Sequence, residues 1–337
     1  MAQMRFGFGF VPKMPLADTA RIVQRGEELG FHMAWVPDQT FFRDPFLMLS
    51  YWAQATKEIK LMVGVTNPYT RHPVQVARSM ATLNEIAQGR ANLGIGAGNR
   101  RELLLPLGHE QSAAAERSRE MAVLVRDLLK GQTTHHRSEY AVADGVNLQW
   151  EVEHPNIPIF IAGRGGLTLE AAGEVADGAI IGALVSTDGL DYALDAIKRG
   201  ADRASRSLED LTLISWVTCI VADDFAAIEQ RMKISTAHII GGAPIPLLKS
   251  IGLEERFISE LKASYAEGGS EKAAQHVTRR EIDMLAVVGD ADSICEKVEY
   301  LASRGIDQLG ILLNEPDTES SIRLIERIAN EVMPRFS

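Results

Sequence analysis

One rhythm constrains this chain more than any other feature: a short apolar run, a polar turn and an amphipathic helix, repeated along its length. Phe6–Val11 reads as a first strand. Residues 15–29 follow as a helix, with Leu16, Ala20, Val23 and Leu29 near the 3.6-residue period. Met33–Val36, Lys60–Thr66 and Ala91–Ala97 read as strands two to four. The helix after strand three carries Val76, Met80, Leu83 and Ala87 on one face and stops at Gly89. Pro158–Ala162, Gly178–Ile181, Leu211–Val221 and Gln308–Leu313 read as strands five to eight, and a last helix turns Ile322, Ile325, Ala329 and Val332 inward. Strands that alternate with helices predict a parallel α/β architecture, and eight such units in 337 residues predict a (β/α)8 TIM barrel. An open doubly wound sheet is the alternative that the same alternation permits.

The rhythm breaks once. Residues 223–290 carry helical pattern and no strand, interrupted at Gly241-Gly242-Ala243-Pro244-Ile245-Pro246. This predicts a helical insertion between strands seven and eight, at the strand end where barrel active sites lie. No low-complexity linker or composition shift divides the chain, so residues 1–337 are expected to form a single barrel domain.

Composition excludes several classes. Lys and Arg total 35 against 45 Asp and Glu, a net charge of −10, which lacks the basic footprint of a general nucleic-acid binder. Cys219 and Cys295 stand far apart and form no CxxC, which argues against a disulfide framework or a cysteine zinc site. Met1-Ala2-Gln3-Met4-Arg5 leads straight into the first strand with no basic segment and long apolar core, so no signal peptide is expected. No apolar window is long enough to span a membrane, and the expected compartment is the cytoplasm. HExxH, GxxxxGK[ST] and GxSxG are absent, leaving no support for a zincin, a P-loop or a hydrolase nucleophile elbow.

The candidate site residues lie at strand ends. Strand one alternates Phe6, Gly7, Phe8, Gly9 and Phe10, so phenylalanines take one face and glycines the other. Strand four repeats the device with Gly94, Gly96 and Gly98. Such faces either open the interior to a flat ligand or make room for bulky residues of other strands. Asp38 follows strand two, where a carboxylate suits catalysis, polar ligand binding or a turn cap. Strand three leaves through Gly64-Val65-Thr66-Asn67-Pro68-Tyr69-Thr70-Arg71-His72-Pro73, a rigid, turn-rich exit whose polar groups can reach the mouth. Strand five runs into Gly163-Arg164-Gly165-Gly166 just before a helix. Exposed N–H groups, the helix dipole and the Arg164 cation together suit a phosphate.

These segments together resemble the bacterial-luciferase-like flavin and deazaflavin enzymes, in particular the methylenetetrahydromethanopterin reductases and related enzymes that use coenzyme F420. The likeness runs through Phe10-Val11-Pro12, Gly30-Phe31, Asp38, residues 64–73, Gly89-Arg90-Ala91, residues 93–98, the Gly163–Gly166 turn with Ala171-Ala172-Gly173-Glu174, Asp177-Gly178-Ala179, residues 241–246 and Val287-Val288-Gly289. The resemblance implies a luciferase-like TIM barrel, usually a homodimer, with a tricyclic ring at its C-terminal mouth. It implies a bulge at Gly64, Val65, Thr66 and Asn67 behind the ring, often with a non-proline cis peptide, here expected at Gly64–Val65. Asp38 matches the acidic residue near the ring, Gly96, Ala97, Gly98 and Asn99 the loop beside it, and Gly163, Arg164, Gly165 and Gly166 the phosphate turn. Gly9, Asn99 and Gln39 stand where the reductases have two carboxylates and a histidine, so the resemblance carries over the cofactor site and not the reductases' own reaction or substrate.

Three functions are thereby set against one another. The first is an oxidoreductase passing hydride between coenzyme F420 and an unidentified small organic substrate. Asp38 and Asn99 are then the expected catalytic residues, and Gly9 joins the cofactor-binding set. The second is an FMN-dependent monooxygenase supplied by a separate flavin reductase. The third is a non-catalytic flavin-binding barrel. The substrate pocket is expected from loops around residues 39–44 and 100–110 and from the insertion, with no metal, nucleic acid or membrane partner.

Overall fold

The structure, a computed structural model, describes residues 3–336; Met1 and Ala2 of the N-terminal segment fall outside the described residues. Among the described residues eleven strands are present in chain order: β1 (Arg5–Phe10), β2 (Met33–Val36), β3 (Lys60–Thr66), β4 (Ala91–Gly96), β5 (Thr134–Arg137), β6 (Val142–Val146), β7 (Ile159–Gly163), β8 (Gly178–Gly182), β9 (Thr212–Val221), β10 (Ala286–Gly289) and β11 (Gln308–Leu313). Eight of them close in the order β1-β2-β3-β4-β7-β8-β9-β11, every pair parallel, because β9 bonds to both β8 and β11 and β11 returns to β1. The chain is a (β/α)8 barrel, and the open-sheet alternative is excluded by that closure.

Period-two alternation explains how the barrel fills. Phe6, Phe8 and Phe10 point outward beneath the helices, where Phe8 meets Phe31 edge-on and Phe10 lies 5.5 Å from Trp52. The opposite faces of the strands send Met33, Trp35, Met62, Phe160, Ile180 and Ile214 into the barrel. Trp35 is the largest of these, and the glycines around it exist to admit it. A Cβ on Gly9 would lie 2.0 Å from the Trp35 ring nitrogen, and one on Gly310 would lie 2.8 Å from the same ring. Gly9 is therefore a packing residue beneath an indole, and the reading of Gly9 as a cofactor contact is corrected. Gly94 and Gly96 play the same part for Val65, whose methyls sit 2.9 and 2.7 Å from where their Cβ atoms would be.

Two segments depart from the sequence reading. The stretch over residues 223–290 is not strand-free. Helices Glu229–Gly242, Ile245–Ser250, Glu255–Ala273 and Arg279–Leu285 are followed by β10, which pairs with the distal half of β9 from Ala286↔Thr218 to Gly289↔Val221. Ala-Val-Val-Gly is buried throughout and too short to show a period. The second departure is the antiparallel hairpin β5–β6 after helix Ala114–Leu129, whose strands are largely polar and exposed. Among the described residues no helix is long and apolar enough to cross a membrane.

Candidate active site

A cavity of about 910 Å³ opens at the C-terminal mouth of the barrel. Its floor comes from strand ends β3, β4, β7, β8 and β9. Its walls come from residues after β2, from the turn after β4 and from the insertion helices. All three loop segments expected to shape a pocket contribute to it.

The wall at β3 is an irregularity in the sheet. Pairing with β4 shifts register between Val63 and Thr66, and the Gly64–Val65 peptide is cis. Gly64, Val65 and Asn67 line the cavity, whereas Thr66 is buried and faces away from it. Asn67 folds the exit into a tight turn, its Oδ1 accepting from the backbone N–H groups of Tyr69 and Thr70 at 3.0 Å each.

Asp38 holds this bulge in place. Its N–H donates to Val65 O at 3.2 Å, and its Oδ2 accepts from the Thr66 hydroxyl at 2.7 Å and Arg71 Nε at 2.5 Å. Arg71 reaches Oδ1 as well, at 3.2 Å, and extends to Asp44 at 2.7 Å. Both carboxylate oxygens of this buried residue are engaged within the protein, which is the geometry of an anchor rather than of a free acid or base. Asn99 is likewise committed. Its Oδ1 caps the π-helical turn Arg100–Leu104 by accepting from Arg101 and Glu102 N–H at 3.1 Å, and its amide donates to Glu102 at 2.8 Å. Asn99 lines the cavity while its amide caps this turn. Beside it, Ala97 and Gly98 line the cavity, and Gln111 donates to both of their carbonyls at 3.0 and 2.8 Å. Gly96 lies behind them, occupied by Val65, so it is no lining residue.

Across the cavity, Gly163, Arg164 and Gly165 line the turn before helix Gly166–Val175. The Gly166 N–H is already taken by the Tyr192 hydroxyl at 2.7 Å, which removes that amide from the expected anion site. Arg164 packs its stem against Gly182 and has no carboxylate within ion-pair reach among the described residues. Burial alone moves its pKa below the usual guanidinium value. A cation desolvated without a counter-charge gains most from an incoming anion, and this one stands at a helix N-terminus.

The sequence reading missed the far side. Trp216 of β9 lines the floor edge-on to Trp35 at 5.3 Å, and its buried indole N–H has no acceptor among the described residues. His238, Lys262 and Tyr265 reach the cavity from the insertion helices. Only the position of the insertion at a strand exit pointed toward them. Among the described residues no cluster of metal-ligating side chains is present.

A closed parallel barrel with a cavity over its strand ends, a bulge on one wall and a glycine- and arginine-bearing turn on the other has the architecture of a barrel enzyme whose site lies at the C-terminal mouth. The chain belongs to the luciferase-like monooxygenase family, whose model matches residues 3–308. It is 29% identical over 337 residues to a 5,10-methylenetetrahydromethanopterin reductase of Archaeoglobus fulgidus, covering 99% of this chain and 100% of the relative. It is 27% identical to an F420-dependent glucose-6-phosphate dehydrogenase of Amycolatopsis mediterranei, over 95% of this chain and 94% of that one. Among solved structures, the coenzyme F420-dependent tetrahydromethanopterin reductase of Methanopyrus kandleri superposes with a TM-score of 0.87 at 26% identity, each chain covered completely.

Proposed function

We propose that this oxidoreductase uses coenzyme F420 to transfer hydride to or from a small organic substrate. The observation that carries the reading is Arg164, a partly buried guanidinium with no carboxylate partner among the described residues, at a helix N-terminus and lining the cavity. The residues present fit the coenzyme. Gly163, Arg164 and Gly165 supply N–H groups and a cation for its phosphate. Gly64 and Val65 offer a wall for the ring, and Ala97 and Gly98 flank it with small residues. When bound, the coenzyme supplies a two-electron hydride donor or acceptor at its ring, while the protein supplies position and electrostatics. Phe41 and Phe42 are exposed at the rim and line the cavity, where they can exclude water from a bound ligand.

The likeness to the methanopterin reductases carries their coenzyme to this chain and not their substrate. Trp35 fills the space above Gly9, so a carboxylate cannot be placed there without displacing the indole. The reading extends to a homodimer in the cytoplasm, which sedimentation of the apoprotein tests for the oligomer. The family model's description as a monooxygenase favours a second reading, FMN chemistry supplied by a flavin reductase in the same cavity. Incubation of the protein and reduced coenzyme F420 with aldehydes, ketones and imines tests the first reading. Acceptor-dependent oxidation of the coenzyme is expected, and its absence across the panel with every cofactor bound refutes hydride transfer.

A further inference from the structure

We propose that the proton accompanying hydride transfer is carried by side chains of the insertion wall, Glu102, His238 and Tyr265, with the Tyr265 hydroxyl as donor to the substrate. The inference rests on the oxidoreductase reading above and adds the acid–base group that reading lacks.

The ionisable side chains lining the cavity are few. Asp38 is held by Thr66 and Arg71. Arg100, Arg101 and Arg164 are guanidinium groups, hydrogen-bond donors with no acceptor. Lys262 directs its ammonium at the carbonyls of Gly241 and Ala243, at 3.1 and 2.6 Å, closing the C-terminal end of helix Glu229–Gly242. Glu102, His238 and Tyr265 remain, and they are mutually placed. Tyr265 Oη lies 3.4 Å from His238 Nδ1, and His238 Nε2 lies 3.8 Å from Glu102 Oε1. The second distance is a charge contact rather than a hydrogen bond. Acid–base contacts are commonly this loose before substrate binds and tighten in the loaded complex.

The packing makes the arrangement specific. A Cβ on Gly241 would lie 2.3 Å from the Tyr265 ring, so only glycine lets this helix seat against the tyrosine. His238 stands three residues earlier on the same helix, which brings its ring within 6.3 Å of the tyrosine's. The Arg101 guanidinium lies over the Tyr265 ring, 5.4 Å from its centroid. His238 is thus faced by Glu102 from the turn after β4 and by Tyr265 from helix Glu255–Ala273. Glu102 is 60% exposed, giving the relay an end in solvent.

The step balances for a carbonyl or imine. The acceptor carbon gains a hydride and forms a C–H bond, and the π pair moves onto oxygen or nitrogen. That atom takes the phenolic proton of Tyr265. A protonated His238 returns a proton to the tyrosine oxygen through Nδ1 and is itself recharged from water beside Glu102. The acceptor is reduced by two electrons, and the coenzyme is oxidised by the same two. Oxidation of an alcohol or amine runs the sequence backwards.

Tyr265→Phe and His238→Gln test this against wild type, with reduced coenzyme F420 and the aldehyde, ketone and imine panel. Each substitution is expected to lower kcat roughly 100-fold, the scale of a lost acid–base group, while melting temperature and coenzyme affinity stay near wild type. Added imidazole is expected to restore at least about tenfold of the activity lost in His238→Gly. Independently of turnover, peptide mass spectrometry follows ethoxyformylation of His238 by diethyl pyrocarbonate, and saturating coenzyme is expected to slow it several-fold. Wild-type kcat in both substituted proteins, or His238 labelling that ignores the coenzyme, overturns the relay and leaves the oxidoreductase reading intact. A wild-type protein that binds the coenzyme and reduces no member of the panel overturns that reading, and the relay with it.

Discussion

Asp38→Asn separates an anchor from a catalytic acid. The substitution keeps the shape of the side chain and removes the charge that Arg71 contacts at 2.5 and 3.2 Å. Breaking a buried ion pair costs about 3–5 kcal/mol when the remaining charge is stranded. Arg71 is not stranded, since it keeps Asp44 at 2.7 Å and is 28% exposed, and the amide oxygen can still accept from Thr66. The cost is therefore nearer about 2 kcal/mol. An unfolding entropy of about 2.1 cal/mol/K per residue amounts to roughly 0.7 kcal/mol/K here, so the melting temperature falls by about 3 °C. The same bonds fix Val65 and Thr66 at the cavity wall, so coenzyme affinity falls alongside stability. Calorimetry, coenzyme fluorescence titration and turnover on one preparation give the comparison. Unchanged melting temperature and coenzyme affinity, with turnover lowered about 100-fold, would show that Asp38 acts chemically and refute the anchor.

Arg164→Ala should weaken coenzyme F420 roughly 10- to 100-fold, the range of a charge-assisted contact, and its dephosphorylated riboside hardly at all; equal losses in the two titrations would make Arg164 structural. Gly9→Ala should lower the melting temperature by several degrees, because its methyl would meet the Trp35 ring at 2.0 Å and overpacking costs about 1–3 kcal/mol or more; an unchanged melting temperature would contradict the packing role. His32 is held near pKa 4 by burial, with Arg5 and Lys60 beside it. Its native pKa lies below the value of about 6.5 in the unfolded chain, so its contribution is complete above pH 6.5 and is lost as pH falls toward 4. The melting temperature of His32→Asn should then decline less than that of wild type over this window, and parallel declines would contradict the assignment.

The barrel was legible because each of its strands is a short apolar run followed by a helix, and both signals are local. β10 was not, since Ala286–Gly289 is stabilised by pairing with Thr218–Val221, a partner distant in sequence. The hairpin Thr134–Arg137 with Val142–Val146 escaped for the opposite reason, its residues being polar and mostly solvent-facing without alternation. The Gly64–Val65 bulge was reached through family resemblance, as nothing in its composition demands a cis bond. Glycine faces were visible, but what fills them was not. Trp35 and Val65 come from other strands, and only the closed barrel brings them over Gly9 and Gly96. Asp38 was found by its position at a strand end. Its partner Arg71, 33 residues later, decides what it does. His238 and Tyr265 carried no pattern of their own, because their meeting depends on how two insertion helices cross at Gly241.

Parallel titration of the apoprotein with coenzyme F420 and with FMN, followed by ligand fluorescence, bears most directly on the cofactor. The site predicts saturable binding of coenzyme F420 in the low micromolar range, with FMN at least about tenfold weaker, a difference of about 1.4 kcal/mol. FMN bound as tightly as coenzyme F420 or more tightly, or no saturation by coenzyme F420 up to about millimolar concentration, would contradict it.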